Sequence, residues 1–128
     1  LTGEATFCFL SFAAQKGLLE SGKLKPLAVT GAKRLADLPT TQTVIESGFP
    51  GLEAYSWIGI FAPRGAPAEV IKRLQENFVA ALEGDAKAKL TAAGFEVVGG
   101  TPEALGQFVR SEHDKWAKFV KDVNINFE

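Results

Sequence analysis

The chain has 128 residues, is 46% hydrophobic and 23% charged, and carries a formal net charge of −1, which suits one packed soluble domain and argues against disorder. No broad basic field is present to collect phosphates, which makes nucleic acid a poor partner, and the longest apolar runs are too short to span a bilayer. Cys8 is the single cysteine and His113 the single histidine, so neither an internal disulfide nor a Cys/His zinc site is expected, no acidic loop suggests calcium, and no cofactor is implied.

In chain order, Ala5 to Phe12 reads Ala-Thr-Phe-Cys-Phe-Leu-Ser-Phe. The aromatic content predicts a buried strand. Ala13 to Ser21 has helix-forming residues, with Gly22 as a left-handed cap. Leu24 to Thr30 predicts a second short strand, at an edge or pairing only after Pro26, which removes a donor. Strand, helix and strand form a crossover unit, which favours parallel pairing. Gly31 to Thr43 carries charge and Pro39 and predicts a surface loop; Thr43 to Ser47 predicts one helical turn closed by Gly48. Glu53 to Ala62 includes Tyr55, Trp57, Ile58, Ile60 and Phe61, a strand composition, with Gly59 marking a bulge or close backbone approach.

Pro67 suits the first turn of a helix whose apolar face is Val70, Ile71, Leu74, Phe78, Ala81 and Leu82, and which Gly84 ends. Asp85 caps a second helix that runs to Ala93 and stops at Gly94. Phe95 to Val98 predicts a short strand. Thr101, Pro102 and Glu103 supply cap, first-turn proline and first-turn acid for a helix to about Val123. Its stripe is Leu105, Phe108, Val109, Trp116, Phe119, Val120 and Val123. Helices alternating with short strands predict an α/β class, a short mixed sheet flanked by helices.

Three stretches carry a resemblance: Gly22 to Thr30, GKLKPLAVT; Ser56 to Pro63, SWIGIFAP; and Val98 to Glu103, VGGTPE, before a helix carrying Trp116 and Lys118. Their order and spacing resemble the Bug-type solute-binding proteins of tripartite tricarboxylate transporters over nearly the whole chain. The resemblance implies part of a two-lobed periplasmic-binding-protein type II fold. Residues 1–23 would be a remnant of the second lobe, and 24–128 the carboxy-terminal part of the first, including the crossing strand. It implies a periplasmic parent that holds a small carboxylate in its cleft and delivers it to a membrane permease, with no direct membrane insertion and no catalysis. Leu1 follows no charged segment and cleavable apolar stretch, and the chain contains no methionine, so no export signal is read and a start inside a larger protein is expected. The chain departs from the family pattern at Leu10 and Ser11, where Asp followed by Asn or Ser is common, and at Thr6, Ala13 and Gln42. The parent's ligand is therefore expected to differ from the better-known dicarboxylates.

Ser11, Ser56 and Trp57 are the ligand-binding candidates: Ser11 ends a strand where α/β clefts gather contacts, and Trp57 offers an apolar wall and an indole N–H. The plainer reading of Trp57 is packing between helices. His113 reads as a boundary residue, with Glu112 and Asp114 projecting from other faces. Glu112 points into the apolar stripe and reads as a cap on a neighbouring loop. Cys8 reads as inert core, and Gly99–Gly100 as a plain turn, not a phosphate loop. An enzyme would require Ser11, His113 and Glu112 to converge. A third possibility is a self-associating structural module, whose uncovered apolar faces would drive dimerisation.

Overall fold

The computed structural model describes residues 5–124. Four helices make up its regular structure: α1, Phe12–Glu20; α2, Ala68–Glu83; α3, Asp85–Ala92; and α4, Pro102–Asp122. The chain divides into two compact units. One comprises the residues up to Ile58 with Ala88–Glu96; the other comprises Gly59–Lys87 with the residues from Val97 onward. One of the crossings, between Lys87 and Ala88, falls inside α3.

The expected mixed sheet is absent among the described residues, so the α/β assignment is corrected to a helical one. A single parallel bridge, Val29 to Thr43, is what remains of it. The Val29 N–H donates to the Gln42 carbonyl at 3.0 Å and the Val44 N–H to the Val29 carbonyl at 2.9 Å. The other candidate strands form no ladder. Ala54 shows why: its N–H meets the Thr30 carbonyl at 3.0 Å, while its own carbonyl accepts from the Thr30 hydroxyl at 2.7 Å. A side chain thus takes a place that a ladder would give to the backbone. Aromatic and β-branched residues report fitness for a half-buried surface, and pairing needs a partner strand that composition does not supply. Burial fails with it. Phe9 is 80% exposed and Ile58 82%, and Cys8 is exposed and not core.

In the first unit, α1 begins after Ser11 and ends on Gly22, which takes φ +69°. The Gly22 N–H reaches the Leu19 carbonyl at 3.0 Å and the Lys23 N–H that of Leu18 at 3.0 Å. This is the left-handed stop that a side chain with a Cβ resists. The loop after the bridge is held by a reciprocal capping pair. The Glu46 N–H donates to Thr43 Oγ1 at 3.0 Å, and the Thr43 N–H to Glu46 Oε2 at 2.8 Å. Thr41 and Thr43 are buried. Tyr55 closes the other side, accepting from the Ala32 N–H at 3.1 Å and donating to Glu53.

In the second unit, the Val70 and Ile71 N–H groups reach the Pro67 carbonyl at 3.0 and 3.1 Å, so Pro67 caps α2 from outside it. Thr101 caps α4, its hydroxyl accepting from the Ala104 N–H at 3.2 Å, and Pro102 follows where its missing donor costs nothing. Gln75 Nε2 donates to the Gly100 carbonyl at 3.2 Å and ties α2 to the turn before α4. The helical spacing of the apolar residues is as the sequence predicts, yet the stripes stay half exposed: Leu74 and Phe78 on α2, Trp116 and Phe119 on α4. No hydrophobic side chain among the described residues is fully buried; the buried ones are Thr41, Thr43 and Glu112.

Candidate functional site

Within the first unit, Ser11 and Ser56 come to the same recess, an open cavity of about 330 Å³. Ala13 and Ala14 of α1 form one wall, and Ile58, Ala93 and Phe95 supply the remaining apolar surface. Trp57 lies between two lining residues in sequence but does not itself line the recess.

Two features bring these segments together. Gly94 takes φ +89°, which turns the chain out of α3 and leaves Ala93 and Phe95 on the recess. A Cβ at Gly94 would stand 2.9 Å from two Phe12 ring carbons and 3.2 Å from the Ala13 Cα, so only glycine allows this approach to the first turn of α1. Lys16, one turn further along α1, donates to the Ala92 carbonyl at 3.0 Å and pairs with Asp37 at 3.3 Å. It thereby places a cation at the carboxy-terminal end of α3, where the helix dipole favours one.

The recess is chemically simple. Its lining contains two hydroxyls and no charged side chain. Ser11 stands at the N-cap of α1, with extended backbone at φ −67° and ψ 129°, yet its side chain makes no capping bond. The first turn of α1 holds no acidic residue, so no carboxylate there opposes an incoming anion. Of the three residues named from the sequence, Ser11 and Ser56 line this recess. Sequence reasoning missed Ala13, Ala14 and Ala93, although Gly94 between Ala93 and Phe95 was the signal that the chain turns back there.

Two residues of the enzymatic alternative, Glu112 and His113, have other partners. Glu112 on α4 accepts from Trp116 Nε1 at 3.1 Å and pairs with Lys115. These partners lie one turn along its own helix, not on a neighbouring loop as expected. The Lys115 hydrogen bond is the main cause that holds the Glu112 carboxyl below the ordinary carboxylate range, against the effect of burial. His113 Nδ1 lies 3.1 Å from Asp114 Oδ1, so the adjacent carboxylate does reach the ring, contrary to the expectation from helical geometry. Both side chains are well exposed. Ser11 belongs to the first unit and His113 to the second.

The profile of the tripartite tricarboxylate transporter family receptor matches residues 1–125. The chain belongs to this family. It is 30% identical over 128 residues to a UPF0065 protein encoded in the tcbD–tcbE intergenic region of a Pseudomonas species, covering 98% of this chain and 38% of that protein. Protein BugT of Bordetella pertussis is 30% identical over 111 residues, covering 86% of this chain and 34% of BugT. A UPF0065 protein from the clcB–clcD intergenic region of Pseudomonas knackmussii is 26% identical over 128 residues, covering 98% of this chain and 76% of that protein. The chain thus spans little more than a third of the first two relatives and about three quarters of the third. The receptor family match runs through both units, so the recess lies within the matched region.

Proposed function

We propose that this receptor chain is part of a periplasmic solute-binding protein that captures a small carboxylate and passes it to a membrane permease. Ser11 and Ser56 are the ligand-binding residues of this reading. Family membership supports the receptor role. The observation that carries the site is the convergence of Ser11 and Ser56, distant in sequence, on one recess beside the first turn of α1. A carboxylate placed there accepts from serine hydroxyls, and each charge-assisted bond is worth about 1.5–3 kcal/mol. Capture and release make and break no covalent bond, so no catalytic group is required. Trp57 does not line the recess.

The test is uptake of labelled small carboxylates by the cell of origin. Deleting the gene should abolish uptake of at least one of them, and the wild-type gene should restore it. The Ser11→Ala, Ser56→Ala double variant should restore it poorly at limiting ligand. Uptake that survives the deletion for every carboxylate tried would remove the reading.

A second reading, a self-associating module that pairs with another copy of itself, is favoured by one observation. Within the second unit the apolar stripes stay half exposed at Leu74, Phe78, Trp116 and Phe119, surface that a second copy could cover.

A further inference from the structure

We infer that the recess selects a monocarboxylate carrying a compact apolar tail over a dicarboxylate or tricarboxylate. This rests on the reading of the recess as the ligand site. A second carboxylate needs its own cation or donor cluster, because a desolvated charge without a partner is costly. The lining offers neither. Past the hydroxyls of Ser11 and Ser56, its surface is methyl, branched aliphatic and aromatic: Ala13, Ala14, Ala93, Ile58 and Phe95. Lys16, the lysine of α1, does not line the recess; its ammonium group is already shared between Asp37 and the Ala92 carbonyl. The exposed sides of Ile58, at 82%, and Phe95, at 39%, are apolar surface that a ligand tail covers and a second carboxylate does not. The cavity volume of about 330 Å³ lies at the small end of ligand pockets, which suits one ring or a short branched chain.

The experiment is a nuclear magnetic resonance titration of the 128-residue chain, following the backbone amides of Ser11, Ala13, Ser56, Ile58 and Ala93. Three probes are compared: benzoate, succinate, and benzyl alcohol as the uncharged relative of benzoate. Benzoate should move these amides together, with a dissociation constant about tenfold below those of succinate and benzyl alcohol. Ala93→Leu places a side chain into the recess from an exposed position and should remove the benzoate shifts while the rest of the spectrum is unchanged. Succinate moving the same amides at equal or lower concentration would overturn the selectivity and leave the recess as a carboxylate site. If no probe moves these amides, the selectivity falls together with the assignment of the recess.

Discussion

Arg34 grips Glu46 from two nitrogens. Its Nε lies 2.9 Å from Oε2 and 3.1 Å from Oε1, its Nη2 lies 2.9 Å from Oε1, and its Nη1 donates to the Pro39 carbonyl at 3.0 Å. Glu46 simultaneously caps the turn at Thr43. One carboxylate therefore ties the loop between Val29 and Thr43 to the turn that begins at Thr43.

This arrangement predicts an acid-sensitive loop. The Arg34 hydrogen bond first, then the Thr43 N–H, pull the Glu46 carboxyl from its ordinary 4.5 down to about 2, because both favour the charged form. A carboxyl depressed in the folded state contributes its stabilisation fully above the unfolded value and loses it as pH falls towards the folded one. The window is therefore between 4.5 and about 2. Titrating the Glu46 side-chain carbon by nuclear magnetic resonance should give a midpoint near 2 in the wild type and a return towards the ordinary range in Arg34→Gln. Identical midpoints in both proteins would mean that the ion pair does not form in solution.

Gly94 and Gly17 should respond oppositely to alanine. Gly17 lies inside α1 with nothing within 4 Å of an added Cβ, so Gly17→Ala should raise stability by about 0.5–1 kcal/mol. At Gly94, positive φ and the close Phe12 ring both oppose a Cβ, and the loss should be about 1–3 kcal/mol. Urea midpoints with an unchanged slope give both numbers. A neutral Gly94→Ala would show that α3 does not pack on the first turn of α1 as described.

The cap of α4 offers a third measurement. Removing the Thr101 hydroxyl leaves the Ala104 N–H without its acceptor, so Thr101→Ala should cost about 1 kcal/mol and Thr101→Ser should recover most of it. Amide exchange at Ala104 should speed up in the alanine variant alone. Equal exchange in all three proteins would place the start of the helix elsewhere.

The helices were legible because their ends carry chemistry that local sequence shows: Gly22 and Gly94 with positive φ, Thr101 with Pro102, and Gly84 after the α2 stripe. The candidate strands were not, since Phe7, Phe9, Ile58 and Ile60 signal apolar surface without saying whether a partner strand exists. Ser11 and Ser56 were picked with the help of family resemblance, whereas the Lys16 bond to the Ala92 carbonyl depends on tertiary placement that no local pattern reveals. Glu112 was misread for a different reason. Its partners Lys115 and Trp116 stand at i+3 and i+4, the spacing at which helical side chains meet.

Half-exposed stripes also make a prediction about association. Leu74 and Phe78 on α2, and Trp116 and Phe119 on α4, are each at least 41% exposed, although an amphipathic helix normally buries such residues. Ring contact between Trp116 and Phe119, at 5.7 Å and 82°, pairs the two along one helix without covering either. Apolar surface left open to water favours association. In sedimentation equilibrium the average mass should exceed 13.7 kDa and rise with concentration. Phe78→Glu and Phe119→Glu together should lower it towards the monomer while leaving helical circular dichroism intact. The same pair of substitutions should reduce binding of a hydrophobic dye. A wild-type chain that stays at the monomer mass at every concentration and binds no dye would show that solvent does not meet these stripes as described.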